Sequence, residues 1–229
     1  MTKMRFFKYE GLGNDFILIP QKPCLTPEQI KNYCDRHCGI GADGIIFVYL
    51  DTLWSIKIFN SDASIAQQCG NGIRCVAQWL LETGHEASEI KTDSGVKTCK
   101  KVGDNWSVDM GIAQIQDNQV SMGNPHRIFL GPVNPSQIDP AVNTEFVDLI
   151  NSHEIGIRVF ERGVGETLAC GTGACACVAW LVSKNQLPTN QEITVHLKGG
   201  NLYITARPTE NGLQVQMKGP ARYVFEGEV

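Results

Sequence analysis

Two cysteines stand in the same short motif in the two halves of this chain, and the motif suits acid–base chemistry. Cys69 and Cys170 each precede a Gly-x-Gly sequence, within segments that align without gaps from Ile56–Leu80 onto Ile157–Leu181. Self-similarity over such a length indicates two copies of one structural unit. Two units facing each other would place one thiol on each side of a bound molecule. That arrangement suits the removal of a proton from one face of a carbon and its replacement on the other.

A helix is predicted directly after each cysteine, and it would position the thiol. Ile73, Val76 and Leu80 recur at helical spacing after Cys69, and Gly84 suits the C-terminal cap. The N–H groups and the positive dipole end at a helix N-terminus favour an anion, so we expect a lowered pKa for each thiol. The glycines would let a carboxylate approach these N–H groups, with the thiol beside its α-carbon. The alternative is a pair of buried structural cysteines.

Short apolar stretches bounded by turns predict strands around both helices. Strands are expected at Ile45–Leu50 and Leu53–Asn60 before the first motif, and at Glu154–Glu161 before the second. Thr26 and the following proline predict a further helix that runs to about His37. The pattern predicts an α+β fold of two pseudo-symmetric domains, each a curved, mostly antiparallel sheet or barrel around a central helix.

The domain boundary is expected near Ile112–Asn118, a polar stretch without strong periodicity. Residues 1–114 would form the N-terminal half with Cys69, and residues 115–219 the C-terminal half with Cys170. A final strand at about 220–229 would return to the first half.

Composition restricts the class of protein. The chain has 229 residues and a net charge of −4, so it lacks the basic footprint of a nucleic-acid-binding protein. Its apolar runs are far shorter than the roughly 20 residues of a membrane span. The N-terminus lacks an apolar segment typical of a secretory signal. Nine cysteines in such a chain favour a reducing cytoplasm with thiols available for catalysis.

Metal and nucleotide sites find little support in the sequence. Cys34, His37 and Cys38 are close enough to suggest zinc, but a second cluster at ligand spacing is missing, so we expect no metal. The Gly11–Asp15 segment departs from the glycine patterns of nucleotide-binding loops, so no nucleotide cofactor is expected.

Five segments of the chain resemble diaminopimelate epimerase, and they follow the order found in that family. They are GLGNDF (Gly11–Phe16), DRHCGIGADG (Asp35–Gly44), CGNGIRC (Cys69–Cys75), GNPH (Gly123–His126) and ERGVGETLACGTGA (Glu161–Ala174). The resemblance implies epimerisation of LL-2,6-diaminopimelate to the meso form, in lysine and peptidoglycan biosynthesis. It implies a homodimer that acts on a small amino acid without PLP or another cofactor. It also implies the two-domain fold that this family shares with proline racemase.

By the same resemblance, Cys69 and Cys170 form the acid–base pair. One thiolate removes the α-proton, the opposite thiol donates to the other face, and the roles exchange in the reverse direction. His126 and Glu161 would lie beside the cysteines and help set their protonation. The substrate would be bound by the backbone of Gly70, Asn71, Gly171 and Thr172 at its reacting carboxylate, by Asn14, and by Asn60, Asn124, Asn143, Glu161 and Arg162. Without the resemblance, these asparagines would be turn residues and Arg162 a solvated surface group.

The chain departs from the family in its length and in its expected pocket walls. It is shorter than most members, so some loops should be trimmed. The stretch Ser61–Cys69 lacks an expected glycine and acid, and Gly44 replaces a glutamine that contacts substrate in some members. These changes predict a relaxed substrate range. The remaining alternatives are a proline racemase-like enzyme and a thiol redox protein with a Cys69–Cys170 disulfide.

Overall fold

The computed structural model describes residues 3–66 and 68–229, and it confirms an α+β fold. The chain divides into two compact units. The first unit comprises the residues up to Val108 together with Pro220–Val229, and the second comprises Asp109–Gly219. Gln67, in the stretch where the sequence departs from the family, lies outside the described residues. Across the described ranges, no helix has the length and apolar character needed to cross a membrane.

The first unit is a mostly antiparallel sheet with one long helix. Its elements are β1 (Arg5–Gly11), β2 (Asn14–Ile19), α1 (Pro27–Cys34), β3 (Gly44–Leu50), β4 (Trp54–Asn60), β5 (Ile65–Ala66), α2 (Gly70–Glu82), β6 (Glu89–Thr92), β7 (Gly95–Val102), the start of β8 (Asn105–Gln116), and β17 (Arg222–Glu228). Strand β17 pairs antiparallel with β1, which brings the end of the chain back to its beginning. Helix α2 packs on β1, β2 and β17.

The second unit repeats this plan. Its elements are the rest of β8, β9 (Gln119–Ser121), β10 (Pro125–Leu130), a 3-10 turn (Pro135–Gln137), β11 (Asn143–Asn151), β12 (Glu154–Glu161), β13 (Gly165–Thr167), α3 (Gly171–Ser183), β14 (Glu192–Leu197), β15 (Gly200–Thr209) and β16 (Gly212–Gly219). Helix α3 contacts β9, β10, β11, β15 and β16, and all its residues up to Val182 are buried. A helix that is apolar on every side belongs inside a protein, as α3 does.

Strand pairing shows that the two units share one topology. In the first unit β2 is parallel to β3, β3 antiparallel to β4, and β4 parallel to β6. In the second, β10 is parallel to β11, β11 antiparallel to β12, and β12 parallel to β14. The long helix follows the third strand of each series. The expected pseudo-symmetry of the two halves is therefore confirmed.

The turn between β1 and β2 positions the first candidate substrate residue. Leu12 and Gly13 both have positive φ, 60° and 82°, and Gly11 pairs with Asn14 across the turn. Positive φ at both central residues is the geometry of a type I′ hairpin, for which glycine is well suited. The turn fixes Asn14 at the start of β2.

Two element boundaries differ from the prediction. Helix α1 begins after Thr26 with a capping box, as predicted, but it ends at Cys34 and does not reach His37. The Asp35 carboxylate accepts hydrogen bonds from the N–H groups of His37 and Cys38, at 2.8 and 2.7 Å, which stabilises a turn in place of further helix. The polar stretch Ile112–Asn118 is also more regular than expected, because β8 extends through it to Gln116 and pairs with β9.

Candidate active site

Cys69 caps the N-terminus of α2 with its own side chain. Its backbone is extended, and its Sγ accepts a hydrogen bond from the Gly72 N–H at 3.5 Å. A Cβ on Gly72 would lie 2.8 Å from Ile46 Cδ1, so the glycine lets α2 pack closely on β3. The thiol is half-buried at the N-terminus of a 13-residue helix. We call Cys69 with Asn14, Asn71 and Ile46 the α2 site.

Asn14 lies beside the Cys69 thiol in a fixed orientation. Its Nδ2 donates to Asp43 Oδ2 at 2.7 Å, and its Oδ1 accepts from Asn71 Nδ2 at 3.1 Å. An ionised carboxylate only accepts hydrogen bonds, so Asp43 determines which end of the Asn14 amide faces the cysteine. The carbonyl oxygen faces it, 3.8 Å from Cys69 Sγ. This geometry allows the thiol of Cys69 to donate to Asn14.

Asp43 belongs to a network of charged side chains. Arg36 bonds both Asp43, at 2.7 Å, and Asp15, at 2.7 and 3.0 Å. The buried Lys8 lies 2.7 Å from Asp15 and also donates to the Gly41 carbonyl. Burial by itself would raise the pKa of Asp15, but the bonds from Arg36 and Lys8 outweigh it and lower the pKa. The network joins four segments of the first unit and ends at the residue that contacts Cys69.

The other residues predicted in this unit have contrasting surroundings. Gly70 and Asn71 are buried in the first turn of α2. Asn60 is exposed at the end of β4, where its Nδ2 donates to Ser64 Oγ at 2.9 Å. Asn60 therefore contacts its own turn, whereas Asn71 contacts Asn14.

Cys170 caps the N-terminus of α3 in the same manner. Its Sγ accepts from the Gly173 N–H at 3.4 Å and lies 3.4 Å from the Thr172 hydroxyl. The backbone at Cys170 is extended, and Gly171 begins the helix. The residue is buried, with 6% of its surface exposed.

The expected lowering of the cysteine pKa is wrong for Cys170. Burial raises the pKa of the Cys170 thiol well above its ordinary value, and the carboxyl groups of Glu161 and Glu145 add to this effect. Bonds from Thr172 and Gly173 act in the opposite direction but are weaker. The helix N-terminus favours the thiolate, but removing the thiol from water beside two acids outweighs that preference. The surroundings of Cys170 thus hold a neutral thiol, which can donate a proton.

A buried histidine and glutamate pair lies beside Cys170. His126 Nδ1 is 2.6 Å from Glu145 Oε1, and His126 Nε2 is 3.1 Å from Asn124 Oδ1. The side chains of His126 and Glu145 are both fully buried. Side-chain donor atoms of His126, Glu145 and Cys170 all lie within 4.8 Å of one another. We call Cys170 with Thr172, His126 and Glu145 the α3 site.

The remaining predicted residues lie at the start of β11, at the end of β12 and just beyond it. Asn143 is buried, and its Oδ1 accepts from the Arg162 N–H at 2.9 Å. Glu161 Oε1 accepts from the Thr167 hydroxyl at 2.7 Å. Arg162 is exposed just beyond the end of β12. Asn143 therefore anchors the loop that carries Arg162, a role that sequence reasoning did not assign to it.

Metal-ligand chemistry is available at one place among the described residues. His126, Glu145 and Cys170 supply nitrogen, oxygen and sulfur donors, the types that zinc binds. The short bond between His126 and Glu145 already occupies one donor of each, so a metal would have to displace it. The two cysteines whose spacing in the sequence suggests zinc differ in exposure, because Cys34 is buried and Cys38 is exposed.

Comparison with known proteins identifies the family. The family model described as diaminopimelate epimerase matches residues 6–116 and 133–224. A diaminopimelate epimerase of Synechocystis sp. is 39% identical, covering 98% of this chain and 98% of the relative. One from Teredinibacter turnerae is 38% identical, covering 99% of each. The chain belongs to the diaminopimelate epimerase family.

The alignments also show how this member of the family is shortened. The Synechocystis alignment spans 278 positions, more than the 229 residues of this chain, although it covers 98% of both proteins. The relative therefore carries additional residues as insertions, in agreement with the expectation of trimmed loops.

Solved structures with low sequence identity share the fold. A Bacillus anthracis phenazine biosynthesis protein of the PhzF family has a TM-score of 0.81 at 17% identity, covering 100% of this chain and 99% of that one. A hydroxyproline epimerase from Agrobacterium vitis has a TM-score of 0.74 at 12% identity, covering 100% and 91%. At such identities the likeness establishes the fold of this diaminopimelate epimerase family member and does not bear on its substrate.

Sequence reasoning missed the carboxylates that support both sites. Asp43 and Asp15 lie within the quoted motifs but were not assigned a role, and Glu145 was not singled out. The signal for Glu145 lay in the repeat. Ile46 pairs with Ile58 and Glu145 pairs with Val159, so Glu145 occupies the position of Ile46 in the other unit. This equivalence falls outside the ungapped alignment of the two cysteine motifs. Extending the alignment to these strands would have shown an acid at a position where the first unit has an isoleucine.

Proposed function

We propose that this chain interconverts LL- and meso-2,6-diaminopimelate without PLP, with Cys69 and Cys170 as its two acid–base groups. The observation that carries the proposal is the identity of 38–39% to diaminopimelate epimerases over nearly the full length of both proteins. The two helix-capping cysteines support it, because each thiol lies where an anionic ligand can bind. Such an isomerase would serve lysine and peptidoglycan biosynthesis.

The reacting carboxylate would be bound by backbone N–H groups of both helices. The first residues of a helix have N–H groups without intrahelical acceptors, and here these belong to Gly70 and Asn71 on α2 and to Gly171 and Thr172 on α3. When the α-proton leaves, negative charge spreads into the carboxylate. Fixed N–H donors stabilise that charge and so lower the barrier.

The different surroundings of the two thiols suggest which thiol takes a proton and which thiol gives one. In one direction Cys69 takes the α-proton as the carbon becomes a carbanion, and the Cys170 thiol gives its proton to the opposite face. The raised pKa of Cys170 supports its role as the donor in that direction. In the reverse direction Cys170 is the base and Cys69 the acid, so the substrate's net charge is unchanged.

The remaining residues would bind the substrate away from the reacting carbon or adjust the thiols. Arg162 offers an exposed guanidinium suited to the distal carboxylate. Asn60, Asn124 and Asn143 would contribute to the same end, and Asn14 would line the site beside Cys69. His126 and Glu161 would help set the protonation of the cysteines.

We further propose a cytoplasmic homodimer. The nine cysteines, all of which the structure describes, are thiols, as a reducing compartment would keep them. Tyr223, Val224 and Phe225 on β17 are each more than 40% exposed, and such an apolar strand suits a subunit contact. Light scattering during gel filtration would test the dimer, and a monomer mass would contradict it.

Epimerisation is tested by proton NMR of LL-diaminopimelate in D2O with the reduced protein. We expect the α-proton signal to disappear as the meso form appears. Cys69→Ala and Cys170→Ala should each abolish turnover. Cys24→Ala and Cys38→Ala are matched controls, because these exposed cysteines lie outside both sites, and they should leave turnover unchanged.

Two results would contradict the proposal. Absence of exchange in a folded protein with reduced thiols would exclude this reaction, and exchange of proline instead would favour a proline racemase-like enzyme. Turnover in Cys69→Ala or Cys170→Ala equal to that of the controls would remove that cysteine from the mechanism.

A further inference from the structure

At one pair of equivalent positions, the two units carry apolar residues in one case and ionisable residues in the other. Phe16 pairs with Gly44 in the first unit, and His126 pairs with Asn143 at the same place in the second unit. Phe16 and His126 are therefore equivalent. The same register aligns Ile46 with Glu145. In the first unit this pair is apolar and buried, with Phe16 at 4% and Ile46 at 0% exposure. In the second unit the same two places hold a buried histidine and a buried glutamate.

The buried carboxyl group of this polar pair is incompletely hydrogen-bonded. Glu145 is fully buried, and within the described residues its second oxygen, Oε2, accepts no hydrogen bond. Burial accordingly raises the pKa of Glu145, although His126 opposes the shift. Buried acid–base pairs are often no more stable than the apolar residues that could replace them. The apolar pair of the first unit shows that the fold accommodates the alternative, so the polar pair is not required for packing.

The helix is adapted to the glutamate. A Cβ on Gly173 would lie 2.5 Å from Glu145 Oε1 and 3.2 Å from its Cδ. At the equivalent glycine, Gly72, the neighbouring atom is the methyl group of Ile46. Gly173, the second glycine of the Cys-Gly-Thr-Gly motif, therefore leaves room for a carboxylate at the N-terminus of α3.

We propose that Glu145 is a positioning residue for the reaction at Cys170, a role that Ile46 cannot fill beside Cys69; this inference rests on the proposed function. Asn124 Oδ1 accepts from His126 Nε2, so the proton on that side belongs to Nε2. Glu145 shares one further proton with His126 Nδ1 across 2.6 Å. The carboxyl group thus holds the imidazole in one orientation, with Nδ1 towards Glu145 and Nε2 towards Asn124. Glu145 in this way makes the surroundings of Cys170 differ from those of Cys69, where Ile46 stands.

The test compares Glu145→Gln with Asp148→Asn. Both variants remove one carboxylate from β11, but Glu145 is buried and Asp148, further along the same strand, is exposed. The first readout is the ¹⁵N NMR signal of the His126 ring in the whole protein, which is independent of turnover. We expect both His126 nitrogen signals to move in Glu145→Gln and to stay in place in Asp148→Asn.

The second readout is turnover of diaminopimelate. Loss of a carboxylate that orients a metal-ligating histidine typically costs about 10- to 100-fold in activity, and we expect a fall of similar size for Glu145→Gln. Asp148→Asn should retain wild-type turnover. If Glu145→Gln fails to fold, Glu145→Asp replaces it, because the shorter side chain keeps the charge but withdraws it from Nδ1.

Unmoved His126 signals, or turnover within about twofold of wild type, would overturn the proposal. If the wild-type protein itself does not epimerise diaminopimelate, the proposed function fails separately. The NMR comparison then tests only whether Glu145 orients His126, and unmoved signals still refute the proposal.

Discussion

Carboxylates that contact no reacting atom fix the side chains around each thiol. At the α2 site, Asp43 accepts from Asn14 and turns its carbonyl oxygen towards Cys69. At the α3 site, Glu145 fixes His126. The partners of these carboxylates could not be assigned from the sequence, because each carboxylate lies many residues from its partner and reaches it only through the tertiary fold. The cysteines were predictable because the helix N-terminus is a local feature.

Asp15 should contribute stability that depends on pH. Its lowered pKa means that the folded protein holds the carboxylate more firmly ionised than the unfolded chain does. That contribution is present above the unfolded pKa of about 4 and is lost as the pH falls through the folded value. Asp15→Asn should lower the free energy of unfolding by about 1–3 kcal/mol at about pH 7, and the difference from wild type should shrink at about pH 3.

Urea denaturation at both pH values checks this prediction. Asp51→Asn is the control, because Asp51 pairs with Lys22 at the exposed surface. Its effect should stay within about 0.5 kcal/mol. A difference for Asp15→Asn that stays constant, or grows, as the pH falls would show that the carboxylate is not held by Lys8 and Arg36 as described.

At the scale of elements, periodicity and caps predicted most of the fold. Both long helices, and strand β12 (Glu154–Glu161), lie where the pattern placed them. The errors came from side chains that act at a distance or compete with the helix. Asp35 ends α1 early, and β8 continues through a polar stretch because β9 supplies a partner. Parallel pairing between β10 and β11, which brings His126 to Glu145, is a tertiary feature that local patterns do not encode.

The duplicated strand pairs allow one unit to be tested against the other. In His126→Phe/Glu145→Ile, the second unit would carry the apolar pair that the first unit has at Phe16 and Ile46. Because the fold already accommodates that pair, the thermal unfolding midpoint should be equal to or above that of wild type. Epimerisation should fall by at least about 100-fold, since the groups that adjust Cys170 are lost.

Calorimetry and the D2O exchange assay measure the two effects on the same sample. The control variant is Asp148→Asn, which changes β11 without changing His126 or Glu145. If the double variant keeps full turnover, the pair is structural. If it unfolds at a much lower temperature, the polar pair contributes to packing in the second unit despite its apolar counterpart in the first.

At the scale of the whole molecule, this chain carries two helix-capping cysteines in a protein shorter than its relatives. The relatives align over 277 and 278 positions, against 229 residues here. We expect the missing loops to reduce the surface available to select a substrate. Two residues expected at the distal end of the substrate lie at the surface of this chain: Asn60 bonds its own turn, and Arg162 is exposed. A relaxed substrate range is the consequence we expect.

Arg162 should therefore determine how strictly diaminopimelate is selected. A guanidinium bond to a carboxylate contributes about 1.5–3 kcal/mol, so Arg162→Ala should raise KM for diaminopimelate by about tenfold or more. The turnover number should fall less, because the bond is made in the ground state and the transition state alike. Amino acids without a distal carboxylate, such as lysine, should be exchanged equally well by the variant and the wild type.

Arg158→Ala is the control, because Arg158 on β12 pairs with Glu166. A KM for diaminopimelate that is the same in Arg162→Ala and Arg158→Ala would show that another group binds the distal carboxylate. A wild-type protein that exchanges diaminopimelate and rejects every other amino acid tested would show that the shortened chain has kept its full selectivity.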